Sequence, residues 1–230
     1  MKKVSAIICV FNEEKTVRNV VLSVFEDHNV NEIIVINDGS SDNSKKIIEE
    51  LKDEMEIKAI HFDENKGKGY AMAIGVEYAT NEIIVFIDAD QTKIIPGYIG
   101  QITSYLLTNE SDMVLGYTTT SFLNLNINPL KILTGERALF KKDIIPILDK
   151  MKESRFGVET LLYLHYASMD KKIKYTKLVG LKHKDKYKKA SFIDASVRYI
   201  KEGWEIVFTA LKNYDLMLKV VVVELKNKPK

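Results

Sequence analysis

Cysteine occurs once in 230 residues, at Cys9. A single thiol excludes an internal disulfide framework and fits a reducing compartment. Cys9 lies in an apolar run, where a small buried side chain is expected rather than a nucleophile. Long apolar runs are absent as well. None approaches the roughly 18–20 residues of a membrane span. The short run after Met1-Lys2-Lys3 has neither the length nor the small-residue cleavage site of a secretory signal. These absences predict a cytoplasmic protein. There is no internal repeat and no low-complexity linker, so the length suits one large α/β domain, with or without a tail. The apolar fraction, 46%, is enough for a full core.

Net charge is only +2, but it is unevenly spread. Residues 1–170 hold 18 Lys/Arg and 26 Asp/Glu, a net of −8, whereas residues 171–230 hold 16 and 6, a net of +10. That split predicts a separate task for the C-terminal quarter, facing an anionic acceptor or the inner face of a membrane as a peripheral contact. Nothing points to nucleic acid as a partner.

The stretch that organises the rest is Ile83-Ile84-Val85-Phe86-Ile87-Asp88-Ala89-Asp90. A continuous apolar run of this length predicts a strand buried on both faces. In extended geometry Asp88 and Asp90 point the same way. Two carboxylates so close repel unless a cation or shared proton relieves them, and a hard divalent ion carrying phosphates is the natural resident. The plainer alternative is a pair of solvated turn residues.

A strand of the same kind is predicted at Val4–Val10, and further strands at 32–36 and 57–62. Helices follow at 14–26 (with Val17, Val20, Val21, Val24 and Phe25 on one face), at 43–52 and at 70–79. Four strand–helix alternations with short connections predict a parallel sheet covered on both faces. Beyond Thr92 the pattern loosens. A helix is expected over 96–107, a strand over 112–117, a mobile polar loop over 118–129, a short edge strand over 139–144 and a helix over 158–169. Lys171 to Ala190 carries nine lysines and one acid. From Ser191 to Leu225 there is no proline and one glycine, Gly203, with an interrupted amphipathic pattern. The expected organisation is an α/β domain over 1–190 and a helical tail over 191–230. The tail would pack on its own core or on a second subunit as a homodimer, or else lie on a membrane surface.

In a parallel sheet the strand exits share one edge, so Asn12 and Glu13, Asp38, and Asp88 with Asp90 converge. Carboxylates there can accept from ribose hydroxyls or a base N–H, which suits a nucleoside. Lys68, between Gly67 and Gly69, can neutralise a phosphate that the glycines let approach, or can be a solvated loop lysine.

Four segments, Ile8-Cys9-Val10-Phe11-Asn12-Glu13-Glu14, Val35-Ile36-Asn37-Asp38-Gly39-Ser40-Ser41-Asp42, Asn65-Lys66-Gly67-Lys68-Gly69 and Phe86-Ile87-Asp88-Ala89-Asp90, resemble in order the signatures of family 2 glycosyltransferases with the GT-A fold. The resemblance implies a Rossmann-like, mostly parallel central sheet with helices on both faces, a nucleotide-sugar donor, and Mg²⁺ or Mn²⁺. It implies a donor site made by Phe11, Asn12, Glu13, Asp38, Gly67, Lys68, Asp88 and Ala89, with Glu13 and Asp38 on the nucleoside. It gives Asp90 to the metal and Asp88 to the ribose or the metal. Thr134-Gly135-Glu136-Arg137-Ala138 is similar to a stretch of the polyprenyl-phosphate sugar transferases and makes Arg137 a second candidate for the phosphates. Phe156-Gly157-Val158-Glu159-Thr160 resembles the stretch where inverting members carry their base, and also retaining phosphoglycerate glucosyltransferases, which need none. Glu159 is thus a candidate base, a hydrogen-bonding group for the acceptor, or an ordinary first-turn acid. In several GT-A subgroups a late histidine completes the metal site, and His183 stands there; its alternative is a surface residue of a basic loop. His28, His61 and His165 read as structural.

The expected activity is metal-dependent transfer of a sugar from a UDP- or GDP-sugar to a hydroxyl or phosphate. Polyprenyl phosphate, a lipid, a glycan or a small phosphorylated acid would serve as acceptor. Two rivals have some support. Asp88-Ala89-Asp90-Gln91-Thr92 matches the nucleophile motif of haloacid-dehalogenase phosphatases, but that motif opens its fold and here three strand–helix units precede it. An inactive module that kept the fold to bind a membrane or partner would explain the basic tract and tail.

Overall fold

A computed structural model describes residues 2–93, 97–117, 134–180, 182–183 and 207–227. Strands β1 (Val4–Val10), β2 (Glu32–Asn37), β3 (Lys58–His61) and β4 (Ile83–Asp88) alternate with helices α1 (Val17–Phe25), α2 (Ser44–Glu54) and α3 (Lys68–Tyr78). These four strands are parallel and lie in the order β3-β2-β1-β4. Alternate side chains feed two cores. Ala6, Ile8 and Val10 of β1, with Ile83, Val85 and Ile87 of β4, pack on α1 and α4 (Tyr98–Leu107). Ile7, Ile84 and Phe86 face the other way, onto α3, α6 (Leu148–Glu153) and α7 (Val158–Ser168). Burial on both faces explains why β1 and β4 read as unbroken apolar runs.

The sheet continues as β4-β7-β6-β8, with β6 at Met113–Tyr117, β7 at Arg137–Phe140 and β8 at Ile173–Lys177. β7 is antiparallel to both neighbours, and β6 is parallel to β8. The expected edge strand over 139–144 is therefore corrected. All four β7 residues are buried in the middle of the sheet, and 141–144 forms the short helix α5 (Lys141–Ile144). A two-strand sheet pairs β5 (Gln91–Lys93) with β9 (Lys182–His183). The last described helix, α8 (Tyr214–Asn227), follows a helical segment at 207–212 and packs on α7. The predicted loop over 118–129, and residues 181 and 184–190 of the basic tract, lie outside the described residues. Among the described residues no helix is long and apolar enough to cross a membrane.

Register sets the working edge. Cys9 lies level with Ile36 and with Asp88, and Val10 with Asn37. The exits of β1, β2 and β4 therefore open on the same side, as the parallel reading requires.

Candidate active site

At the first exit the chain turns sharply, with Asn12 in the left-handed region at φ 57°. Asparagine tolerates that conformation better than most residues. Its side chain then stitches two exits together. The Asn12 carboxamide oxygen accepts from Ser41 N at 2.8 Å, and Asn12 N donates to Ser40 Oγ at 3.0 Å. One residue on, Glu13 N donates to Ser44 Oγ at 3.0 Å, while its carboxylate accepts from Thr16 Oγ1 at 3.1 Å. Phe11 stands beside them, 46% exposed.

Asp38 at the β2 exit is buried, and its carboxylate organises the loop before α3. It accepts from Lys66 N at 2.7 Å, Gly67 N at 2.9 Å and Asn65 Nδ2 at 3.0 Å. Burial raises its pKa, and these donors only partly offset that. The turn above it is crowded, since a Cβ on Gly39 (φ 66°) would lie 2.3 Å from the carbonyl carbon of Glu64. Only glycine meets both demands.

The β4 exit corrects the extended reading of the acidic pair. The strand ends at Asp88, and Ala89 and Asp90 form the turn into β5. The two carboxylates are therefore not stacked along one strand face. Asp88 and Glu159, from α7, both take the Lys68 ammonium, at 2.8 and 2.7 Å from Nζ. Burial opposes a charge on Lys68, yet the two carboxylates hold its pKa above the ordinary lysine value. Gly135 lies against this group, where a Cβ would fall 2.0 Å from Asp88 Oδ2. Lys68 is thus no solvated loop lysine.

Arg137 takes a different place from the one expected. It is fully buried in β7, its Nη1 donating to the Glu159 carbonyl at 3.1 Å and its Nη2 to the Thr134 carbonyl. Burial lowers its pKa against the pull of Glu159 and Asp88. Such a guanidinium braces the start of α7 and presents no open surface to a phosphate. Glu159 stands in the first turn of α7, where the macrodipole favours an acid. His183 is paired through its backbone with Gln91, the residue after Asp90. Its strand therefore runs beside the acidic turn, and its side chain lies outside the described residues.

Sequence reasoning assigned no role to Glu136, which is fully buried directly behind that turn. Its Oε1 accepts from Asp88 N at 3.2 Å and from Gln91 Nε2. Burial, with the Asp88 charge second, pushes its pKa well above the usual carboxylate range. The available signal was an acid placed immediately before a buried strand. His61 and His165 are both held by hydrogen bonds within the fold. His61 meets Glu49 at 2.6 Å and Asn37 at 3.2 Å, and His165 meets the Asp143 carbonyl at 2.7 Å. Burial pushes the Cys9 thiol up to about 12, which makes it inert at neutral pH.

The oxygen donors Asp88 and Asp90 on one turn have the chemistry that Mg²⁺ or Mn²⁺ requires. Among the described residues no group of three metal-binding side chains gathers.

Residues 5–179 match the family described as Glycosyl transferase family 2. The chain is 38% identical over 88 residues to the poly-beta-1,6-N-acetyl-D-glucosamine synthase of Staphylococcus epidermidis, a match covering 38% of this chain and 21% of that protein. It is 37% identical over 91 residues to an uncharacterised glycosyltransferase of Nostoc sp., covering 38% of this chain and 28% of the other. The matched stretch thus spans 21% and 28% of these two curated relatives. Among solved structures, the glucosyl-3-phosphoglycerate synthase of Mycobacterium tuberculosis in complex with Mn²⁺, UDP and phosphoglyceric acid superposes with a TM-score of 0.73 at 19% identity. That superposition covers 92% of this chain and 78% of that one. At such identity the likeness is one of fold.

Proposed function

The chain belongs to glycosyl transferase family 2, and from that premise we propose that it moves a sugar from a UDP- or GDP-sugar to an acceptor hydroxyl or phosphate. One observation carries the reading. The exits of β1, β2 and β4 open on one edge, where Lys68 draws Asp88 and Glu159 together across 2.8 and 2.7 Å. Phe11, Asn12, Glu13 and Asp38 would receive the nucleoside. Gly67, Lys68 and Ala89 would line the diphosphate. Glu159 would meet the acceptor, either as base or as hydrogen-bond partner. Residues 1–190 and the tail over 191–230 are taken as one working unit, supported by the packing of α8 on α7.

Asp90 and Asp88 would hold Mg²⁺ or Mn²⁺, with His183 as the third candidate ligand from the paired strand. Two carboxylates suffice for such a site, because the donor phosphates and water complete the shell of a hard cation. When bound, the ion neutralises charge on the diphosphate leaving group. The fold-level neighbours support this choice, since glucosyl-3-phosphoglycerate synthase is described with Mn²⁺ and UDP-glucose, and with Mg²⁺ and UDP.

The test is a thermal-shift and calorimetry series with UDP, GDP and their sugars, with and without Mn²⁺. Binding of the right nucleotide raises the melting temperature by mass action. Asp90→Ala should lose the Mn²⁺-dependent part of that affinity, and an unchanged Mn²⁺-dependent affinity would sink the assignment.

A further inference from the structure

The C-terminal helical segment carries apolar residues on two opposite sides. Thr209, Asn213 and Leu216 are buried on the inward side, and Val220 and Val223 are half-buried there. The fit is close at its start, where a Cβ on Gly157 would lie 1.8 Å from Thr209 Oγ1. Bonds from Asn213 N to Thr209 O (3.1 Å) and from Met217 N to Asn213 O (3.2 Å) carry the helix across residue 213. At about 100° per residue, Val207, Leu211, Tyr214, Leu218, Val221 and Leu225 fall half a turn away. All six are at least 50% exposed.

Their spacing alternates between four and three residues, the 3.5-residue repeat of a helix–helix seam. Leucine occupies the a-type positions Leu211, Leu218 and Leu225, with Val207 before them and Tyr214 and Val221 between them. Phe208 and Val222 widen the strip. Together these residues bare on the order of 800 Å², more than a lone chain usually leaves exposed and about one partner's share of a standard interface. Charge argues against lipid. Lys212, Lys219 and Lys226 recur every seven residues on one flank only, and Asp215 borders the strip on that same side. A helix lying on an anionic membrane places cations along its polar face and keeps acids off its apolar edge.

We propose that this strip is a homodimer interface, taken by the same strip of a second copy about a two-fold axis. A self-complementary seam satisfies both chains with one set of residues. The interface lies on the side of α8 turned away from α7.

Sedimentation velocity on the full chain, from low to high micromolar, should give a concentration-dependent dimer. The variant L211E/L218E should associate at least about a thousandfold more weakly, with unchanged circular dichroism, because both side chains are exposed. Tyr214→Glu is the second variant and should also weaken the dimer. A wild-type chain that stays monomeric throughout would overturn the proposal, as would variants that dimerise undiminished. Monomeric wild-type chain floating with phosphatidylserine vesicles, and losing that binding in the variant, would give the strip to a membrane instead.

Discussion

Replacing Lys68 with Met keeps the stem and removes the ammonium that Asp88 and Glu159 share. The three side chains are 21%, 26% and 12% exposed, so water reaches the group without flooding it. Deleting one partner of a fully buried ion pair costs about 3–5 kcal/mol, because the remaining charge is left uncompensated. Here two carboxylates are left facing each other, which adds repulsion, while their partial exposure screens it. The expected loss is about 2–3 kcal/mol, or a fall in melting temperature of roughly 5–10 °C for a chain of this size. Urea and thermal unfolding measure it directly. Adding Glu159→Gln to Lys68→Met should recover part of the loss, since it removes one of the two opposed charges. A Lys68→Met protein melting within about 1 °C of wild type would refute the reasoning, as would a double variant no more stable than the single.

Two further outcomes follow from the buried polar groups. Glu136→Ala removes the acceptor for Asp88 N and Gln91 Nε2 and opens a cavity, which should cost about 2–4 kcal/mol in urea unfolding; Glu136→Gln keeps the acceptor oxygen and should stay close to wild type. If Glu136→Ala unfolded at the wild-type midpoint, its bracing role would be wrong. Burial depresses the pKa of His165 below its unfolded value, so the unfolded chain binds the extra proton first and stability falls as pH drops below about 6.5. His165→Gln should flatten the stability profile between about pH 7 and 5, and an unaltered slope would place its origin elsewhere.

How much was legible in the chain depends on how far apart the interacting residues stand. β1, β2 and β4 could be read because strands buried on both faces leave continuous apolar runs, and the parallel order of the first four strands follows from the helices between them. β7 could not. It is four residues long, it begins with Arg137, and a buried arginine imitates a surface position in any hydrophobic pattern. Their position after an apolar run marks Asp88 and Asp90 as an acidic pair, but it does not show the turn that takes in Asp90. The strand stops at Asp88 because Gly135 and Glu136 meet it there, contacts 47 and 48 residues away. The buried Glu136 is illegible for the same reason, as a carboxyl declares its burial only once the sheet is assembled. Lys68 was picked out for the glycines around it, whereas its contact with Glu159 spans 91 residues.

The assembled site explains why β7 lies in the middle of the sheet. Its entry supplies Glu136 to hold the backbone of Asp88, and its first residue, Arg137, holds the backbone of Glu159. Neighbours in sequence thus fix the two carboxylates that Lys68 joins, one from the half that carries the donor signatures and one from the half that does not. Lys68 cannot serve both carboxylates and an incoming diphosphate at full strength, because one ammonium has three donors and a single charge. An anion that draws Lys68 toward the donor edge therefore loosens its hold on Glu159. A cation at Asp88 acts in the same direction, since it competes for the same oxygens. On the proposed assignment, donor binding would thus be felt at Glu159 through one side chain.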